Sequence, residues 1–284
     1  MIVDFHTHIF PEKIAAKAVN KLAKLACAVP YTDGTERALL DSMRAAGVNY
    51  SVTLPVVTAP EQVTKINDGV IAAREEKLCA GLISFGGIHP DYPDLKREMR
   101  RLREGGVRGI KLHPAYQGCD LNAPNMLRLI GYASEYGLIV VVHAGLDIAT
   151  IEHNYASISM IEQVMTEIRP PKFVLAHMGA WAEWELVEHA LAGAPLWLDT
   201  SFSIGPTVPC PGSTPRPGQD AMLADDDFIR LCRKHGTDRV LFATDSPWRD
   251  QTDYVCRIEA MPFTRAERDA IFGENARILL ESDL

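Results

Sequence analysis

The 284-residue sequence lacks several features that would place it in a common protein class. It has no apolar run long enough to span a membrane, and its N-terminus lacks the basic segment and apolar segment of a signal peptide. Its six cysteines are scattered and form no Cys-x-x-Cys pair. The cysteines are therefore expected to be reduced thiols in a cytoplasmic protein.

Concentrated positive charge is also missing. The chain has 29 Lys and Arg residues against 37 Asp and Glu residues, which gives a net charge of −8. Its one basic run, 96–103, is interrupted by apolar residues at helical spacing, which is typical of an exposed helix face. Nucleic acids and anionic membranes bind to concentrated basic patches, so neither partner is expected.

Signs of a dinucleotide-binding fold or of several domains are absent as well. No Gly-x-Gly-x-x-Gly follows the first apolar run, and no linker, low-complexity tract or internal repeat divides the chain. The 47% hydrophobic and 23% charged residues are ordinary for a globular protein with a full core. We therefore expect one domain over residues 1–284.

Eight short apolar runs recur along the chain and predict β-strands. They are rich in valine, isoleucine and leucine and do not alternate with polar residues, which indicates strands covered on both faces, as in a parallel sheet. The runs are Ile2–His8, Tyr50–Val57, Cys79–Ile88, Val107–Pro114, Leu138–Gly145, Lys172–Gly179, Leu196–Phe202 and Val240–Pro247.

Helical patterns, with apolar residues three to four positions apart, separate these runs. The alternation predicts an α/β fold of parallel βα units. Eight strands favour a single closed (β/α)8 TIM barrel, and an open doubly wound sheet is the alternative. Two connections, 10–47 and 203–224, are unusually long. The first is expected to contain two helices, and both would lie at the C-terminal mouth of a barrel.

A His-x-His motif, His6 and His8, ends the first run. Alternate residues of a strand face the same side, so both imidazoles are expected to point to one place. Three later runs contain His143, His177 and Asp245 near their C-terminal ends. In a barrel these ends meet at one mouth, where imidazoles and a carboxylate can hold a divalent cation. The sequence therefore predicts a metal site there.

Four segments carry a more specific signal in combination. They are Asp4-Phe5-His6-Thr7-His8, Val142-His143-Ala144-Gly145, Leu175-Ala176-His177-Met178-Gly179 and Ala243-Thr244-Asp245-Ser246-Pro247. Together they resemble the amidohydrolase superfamily, and more closely its amidohydrolase-2 branch, which includes aminocarboxymuconate semialdehyde decarboxylase. The resemblance implies a (β/α)8 barrel and one divalent ion, zinc, held by His6, His8, His143 and Asp245. It implies that His177 orients or deprotonates the metal-bound water.

Lys111 and His113 share a face of the fourth predicted strand and can both look into the mouth. In some superfamily members a carboxylated lysine on this strand bridges two metals, although the resembled branch is usually mononuclear. Lys111 can therefore bridge a second metal, bind a substrate carboxylate, or form a salt bridge that neutralises the mouth. His113 can bind substrate or support a ligand.

Several other side chains are candidates for contact with a substrate. His89 ends the third predicted strand, and Trp248 and Trp181 follow predicted strand ends, so each can line a pocket. Arg37 and Arg216 lie in the two long connections, where either can bind a carboxylate. His89 and Trp248, with Lys111 and His113, form the predicted substrate-binding set.

The predicted function is metal-dependent hydrolysis of an amide, lactone or ester by an activated water, with His177 and Asp245 handling protons. The first alternative is non-oxidative decarboxylation of a small unsaturated or aromatic carboxylic acid, because the same ligands serve both reactions. The second alternative is a catalytically inactive metal-binding barrel. The expected partner is a small, carboxylated substrate, and the resemblance implies a homodimer.

Overall fold

The computed structural model describes residues 1–212 and 214–281. Nine short strands in these residues pair in parallel, and most of their residues are buried, as the continuous apolar runs predict. The strands are β1 (Val3–Thr7), β2 (Tyr50–Thr53), β3 (Leu82–Ser84), β4 (Gly86–Gly87), β5 (Gly109–Leu112), β6 (Ile139–Val142), β7 (Phe173–Leu175), β8 (Trp197–Asp199) and β9 (Val240–Leu241).

The strands follow one another in space in chain order, in a group of three (β1 to β3) and a group of six (β4 to β9). β3 and β4 are two halves of one predicted run, so the nine strands fill eight positions. β9 and the residues after it return to β1, where Phe5 N donates to Phe242 O (2.8 Å) and Asp245 N donates to His6 O (2.8 Å). The fold is therefore the predicted (β/α)8 barrel rather than an open sheet.

Helices connect the strands on the outside of the barrel. They are α1 (Glu12–Ala26), α2 (Glu36–Ala46), α3 (Val63–Ala72), α4 (Arg74–Cys79), α5 (Leu95–Glu104), α6 (Pro114–Gln117), α7 (Pro124–Glu135), α8 (Ile158–Glu167), α9 (Trp184–Ala190), α10 (Asp225–His235), α11 (Gln251–Ala260), α12 (Arg265–Asp269) and α13 (Asn275–Leu280). A π-helical segment, Ala270–Glu274, joins the last two helices. No helix in the described part of the chain combines the length and apolar character needed to cross a bilayer.

Local sequence signals set several helix ends. α2 begins after Thr35, whose hydroxyl accepts from Ala38 N, and it ends at Gly47, where φ is +71°. Residues 10–47 therefore contain the two expected helices. α12 begins with a capping box, in which the side chains of Thr264 and Glu267 each accept from the other residue's backbone N–H.

Apolar side chains fill the inside of the barrel below its mouth. Phe5 of β1 contacts Phe85 edge-to-face, with ring centroids 5.9 Å apart, and Val141 and Val174 complete this buried layer. The packed interior leaves the C-terminal ends of the strands as the place where a pocket can open.

The break between β3 and β4 is supported by a buried side chain of α3. Asn67 Nδ2 donates to Gly87 O (2.9 Å), and its Oδ1 accepts from Gly87 N (2.9 Å). Asn67 Nδ2 also donates to the buried Glu98 (2.6 Å). The amide thus satisfies three polar groups that have no access to water.

Asn67→Ala is expected to lower the free energy of unfolding by about 2–4 kcal/mol, because it leaves buried donors and acceptors unsatisfied. Urea denaturation followed by circular dichroism measures the change. Asn20→Ala, at an exposed position on α1, is the control and should change stability by less than about 0.5 kcal/mol. Equal effects of the two substitutions would contradict the role given to Asn67.

Candidate metal centre

Three predicted ligands meet at the barrel mouth. His6 Nε2 lies 3.2 Å from His8 Nε2 and 3.6 Å from Asp245 Oδ1, and His8 Nε2 lies 3.1 Å from the same carboxylate oxygen. Ligands bonded at about 2.1 Å to one ion stand about 3.0–3.4 Å apart. The spacing of these three atoms therefore suits a single cation.

Hydrogen bonds behind the two imidazoles direct their lone pairs to this point. His6 Nδ1 lies 2.9 Å from the Asp199 carboxylate and His8 Nδ1 lies 2.7 Å from the carbonyl of Leu54. Both partners accept only, so each Nδ1 carries the proton and each Nε2 presents a lone pair. Two nitrogen lone pairs and a carboxylate oxygen thus converge without a proton between them, which fits a cation.

The remaining predicted ligand, His143, lies in a neighbouring group. Its Nδ1 is 2.9 Å from His177 Nε2, and its Nε2 is 3.2 Å from Leu146 O. At the other end His177 Nδ1 is 3.0 Å from Ser201 O. The contacts with Leu146 O and Ser201 O each need an N–H from a histidine ring, and the contact between the two rings needs a third N–H. Two neutral imidazoles have only two N–H groups. The pair is one positive charge short, and a cation bound to an inner nitrogen would supply it.

His177, which is predicted to orient or deprotonate a metal-bound water, lies outside the strand in which the sequence analysis placed it. β7 ends at Leu175, two residues before His177. His177 (φ +59°) and Met178 (φ +54°) adopt left-handed backbone in a tight turn, as does Asp245 (φ +69°) at the other side of the mouth. This uncommon conformation ends the strand and concentrates backbone strain at the site.

Lys111 is buried beside the centre, with its Nζ 3.1 Å from His6 Nε2. Burial lowers the pKa of Lys111 to about 8, while Asp199 and Asp245 act in the opposite direction. The lysine therefore remains mostly charged at neutral pH. It is a cation held inside the mouth within reach of the presumed ligands.

His113 and Asp147 lie on the far side of His143. The His113 and His143 rings stack with centroids 4.2 Å apart, and each Nε2 approaches Asp147 Oδ2, at 3.7 Å and 3.6 Å. The nitrogen lone pairs of two stacked rings lie in parallel planes and do not converge on one point, so the two rings are poorly placed to bind the same ion. Tyr116 stacks on the other face of His113 at 3.9 Å. This group therefore fits a pocket wall better than a second metal site.

A cavity of about 1420 Å³ opens over the centre. It is lined by the three converging ligands, by Lys111, His113, His143 and His177, and by the aromatic side chains Tyr116, Trp181, Phe202 and Trp248. Arg37 lies at its exposed rim. The cavity combines a polar floor with aromatic walls, which is the usual composition of a small-molecule site.

Two candidate contact residues lie elsewhere. His89 is buried but is not among the residues that line the cavity, because its Nδ1 accepts from Asp91 N (3.2 Å) in the turn after β4. Arg216 pairs with Glu152 (2.6 Å) and donates to the carbonyl of Ala149, so it fastens a loop. Their positions give no support to a substrate contact.

Sequence reasoning missed three polar side chains of the site: Asp147, Asp199 and Tyr116. Asp199 is the last residue of β8, but the predicted strand continued to Phe202, so this carboxylate did not fall at a predicted strand end. Asp147 and Tyr116 lie in loops or short turns after strands, where the sequence gives no periodic signal.

Burial keeps His6 and His177 neutral. It lowers the pKa of His6 to about 4, helped by the charge of Lys111, and it lowers the pKa of His177. Burial alone would raise the pKa of Asp245, but the neighbouring imidazoles of His8 and His6 lower it below the usual value. The result is neutral imidazoles beside an ionised carboxylate, the protonation state that metal binding requires.

The family assignment follows from comparison with known proteins. An amidohydrolase family model matches residues 3–281, so the chain belongs to the amidohydrolase family, in its amidohydrolase-2 branch. A search of the curated proteins finds no match.

Solved structures with the same fold include an uncharacterised TIM-barrel protein from Bordetella bronchiseptica (17% identity, TM-score 0.76, covering 99% of this chain and 98% of that one). A 2,6-dihydroxybenzoate decarboxylase from Rhizobium is 14% identical, with a TM-score of 0.68 over 99% and 98% of the two chains. A 5-carboxyvanillate decarboxylase from Novosphingobium aromaticivorans, solved with manganese and a nitrobenzoic acid, is 14% identical, with a TM-score of 0.70 over 99% and 97%. These likenesses confirm the fold.

The metal-free protein is expected to lose stability on acidification because of His6. The folded pKa of about 4 lies below the ordinary 6.5, so between these values the unfolded chain takes up a proton that the folded chain does not. The free energy of unfolding should fall by up to about 3 kcal/mol from this residue. Urea denaturation from pH 7 to pH 4 measures it.

His6→Gln should flatten this pH dependence, whereas His189→Gln, at an exposed position, should leave it unchanged. An unaltered slope in the His6 variant would show that His6 is already protonated in the folded protein.

Proposed function

We propose that this protein is a metal-dependent decarboxylase that releases CO2 from a small aromatic or unsaturated carboxylic acid. The observation that carries the proposal is the buried ammonium of Lys111, 3.1 Å from His6 Nε2, inside a cavity walled by Trp181, Phe202 and Trp248. A cation next to a metal centre suits a carboxylate, and flat aromatic walls suit a ring. The structural neighbours named as decarboxylases add support.

The ion would be held by His6, His8 and Asp245, with His143 as the fourth predicted ligand. Two imidazole nitrogens and a carboxylate suit zinc or manganese, and the 5-carboxyvanillate decarboxylase structure contains manganese. When bound, such an ion would polarise substrate oxygens and stabilise negative charge that develops on them.

Lys111 would bind the substrate through its carboxylate or a neighbouring oxygen. In the structure its ammonium donates toward His6 Nε2, an atom that an ion would take over. Lys111 would then be left with buried donors beside the cavity that need a new acceptor, because the side chain is 1% exposed. A substrate oxygen satisfies that requirement.

Two groups of the chain would handle the proton. Decarboxylation breaks the bond between the ring and the carboxylate carbon, CO2 leaves, and the electron pair on the ring carbon takes a proton. Asp245 and His177 line the cavity beside the centre, where either would take up a proton from a substrate hydroxyl or from water and pass it to that carbon. Ser201 O accepts from His177 Nδ1 (3.0 Å), which leaves Nε2 of this ring facing His143 Nδ1 (2.9 Å).

Hydrolysis of an amide, lactone or ester is the second candidate. It is favoured by the state of His177, since burial lowers the pKa of this imidazole and makes it a base rather than an acid near neutral pH. A base that removes a proton from water serves hydrolysis directly.

A substrate panel separates the two reactions. Purified protein is loaded with Zn²⁺ or Mn²⁺ and offered hydroxylated aromatic acids, unsaturated acids, lactones and amides, with product and CO2 followed by NMR and a coupled CO2 assay. Ion-dependent CO2 release from at least one acid is expected, with loss of turnover when a chelator is added. Turnover of lactones or amides alone would establish hydrolysis, and no turnover of any class would favour an inactive barrel.

Lys111→Met is expected to lower kcat/KM for an accepted acid by about 10- to 100-fold, because a hydrogen bond between two charged groups is lost. Ion content, measured by elemental analysis, should be unchanged. Lys65→Met, at the exposed rim of the cavity, is the matched control and should change kcat/KM by less than threefold. Loss of the ion in the Lys111 variant would show that the lysine is a metal ligand instead.

A further inference from the structure

Asp199, the last residue of β8, is fully buried behind the metal centre. Its Oδ2 lies 2.9 Å from His6 Nδ1. Its Oδ1 accepts from His177 N (3.1 Å), from Ser201 N (3.0 Å) and from the Ser201 hydroxyl. One carboxylate therefore contacts both a presumed metal ligand and the presumed proton-transfer residue.

Each of the atoms that face this carboxylate is a hydrogen-bond donor. The two backbone N–H groups and the Ser201 hydroxyl donate on one side, and the His6 ring donates on the other. A carboxylate accepts on both oxygens, whereas an amide of the same shape accepts on only one. The surroundings of Asp199 thus require a carboxylate rather than a polar side chain in general.

The contact with His6 determines which of its nitrogens is free. Because Asp199 accepts the Nδ1 proton, the lone pair of His6 is on Nε2, which faces His8 and Asp245. A carboxylate behind an imidazole also raises the electron density on the opposite nitrogen, and so strengthens it as a ligand.

The contacts with the turn after β7 determine the position of His177. This residue has φ of +59°, and its N–H is held by Asp199 Oδ1. Ser201, which donates to the same oxygen, presents its carbonyl (3.0 Å) and hydroxyl (3.1 Å) to His177 Nδ1. Asp199 therefore supports the unfavourable backbone conformation and, through Ser201, the ring orientation.

We infer that Asp199 is the positioning residue of this centre, which sets the tautomer of His6 for metal binding and fixes the turn that presents His177. The inference rests on the proposed metal site, since it assigns a role toward an ion held by His6. It adds that the metal ligand and the proton-transfer residue share one buried anchor, so a change at Asp199 affects ion affinity and turnover together.

The test compares Asp199→Asn with Ser201→Ala. Dissociation constants for Zn²⁺ are measured by competition with a chromophoric chelator, and circular dichroism checks folding. Asp199→Asn should weaken Zn²⁺ binding by about 10- to 100-fold. Ser201→Ala leaves the His6 contact intact and should keep the Zn²⁺ dissociation constant within threefold. An Asp199→Asn variant that folds and binds Zn²⁺ within threefold of wild type would overturn the inference.

A second measurement does not require the Asp199→Asn variant to fold. Long-range ¹H–¹⁵N NMR of the histidine rings in wild-type protein, with and without Zn²⁺, reports which nitrogen of His6 carries the proton, and His6→Gln assigns its signals. A protonated Nδ1 in both states is expected, and a protonated Nε2 in the metal-free state would refute the inference. If wild-type protein shows the Nδ1 proton but binds neither Zn²⁺ nor Mn²⁺, the metal site is overturned, and the role of Asp199 with it. If Asp199→Asn leaves Zn²⁺ binding unchanged, only the role of Asp199 is overturned.

Discussion

The closure of the barrel between its first and last strands is the constraint on which the candidate centre depends. His6 and Asp245 are separated by most of the chain, yet Asp245 N donates to His6 O at 2.8 Å. In an open eight-stranded sheet, with strands about 4.8 Å apart, the two edge strands would lie about 34 Å from each other. Closure alone brings these side chains within the reach of one ion. The contacts that close the barrel therefore also assemble the candidate centre.

Charge balance explains why so many ionisable groups can be buried at the mouth. Asp147, Asp199 and Asp245 carry negative charge near the centre at neutral pH, and Lys111 carries one positive charge. These carboxylates outnumber the single ammonium, and a divalent cation would offset the excess negative charge. Burial of unbalanced charge is costly, so the protein is expected to be more stable with a bound cation than without one. His6 and His177 contribute ring nitrogens without adding charge, because burial keeps these two imidazoles neutral.

The sequence predicts the barrel and the three converging ligands because each rests on a local pattern. Apolar runs mark the strands, and a polar residue at the end of such a run is placed at the mouth by the topology, as for His6, His8 and Asp245. The same rule does not predict the exact strand ends, because His177 and Asp245 have left-handed backbone and lie after the observed ends of β7 and β9. It also leaves out Asp199, whose importance comes from donors on β1 and in the turn after β7. Those contacts join distant segments, and no periodicity in one segment encodes them.

The choice between decarboxylation and hydrolysis turns on side chains around the centre rather than on the ligands themselves. Hydrolysis needs a path for water and a base, and a neutral His177 provides the base. Decarboxylation needs a carboxylate held near the ion while its bond to the ring breaks, and this favours a buried positive charge over a water-filled mouth. Lys111 supplies such a charge, and the aromatic walls exclude part of the water. Because Lys111 is buried, where bulk water screens charge weakly, its attraction for an anion is stronger than that of an exposed lysine. The position of Lys111 is therefore the feature of this barrel that favours an acid as substrate.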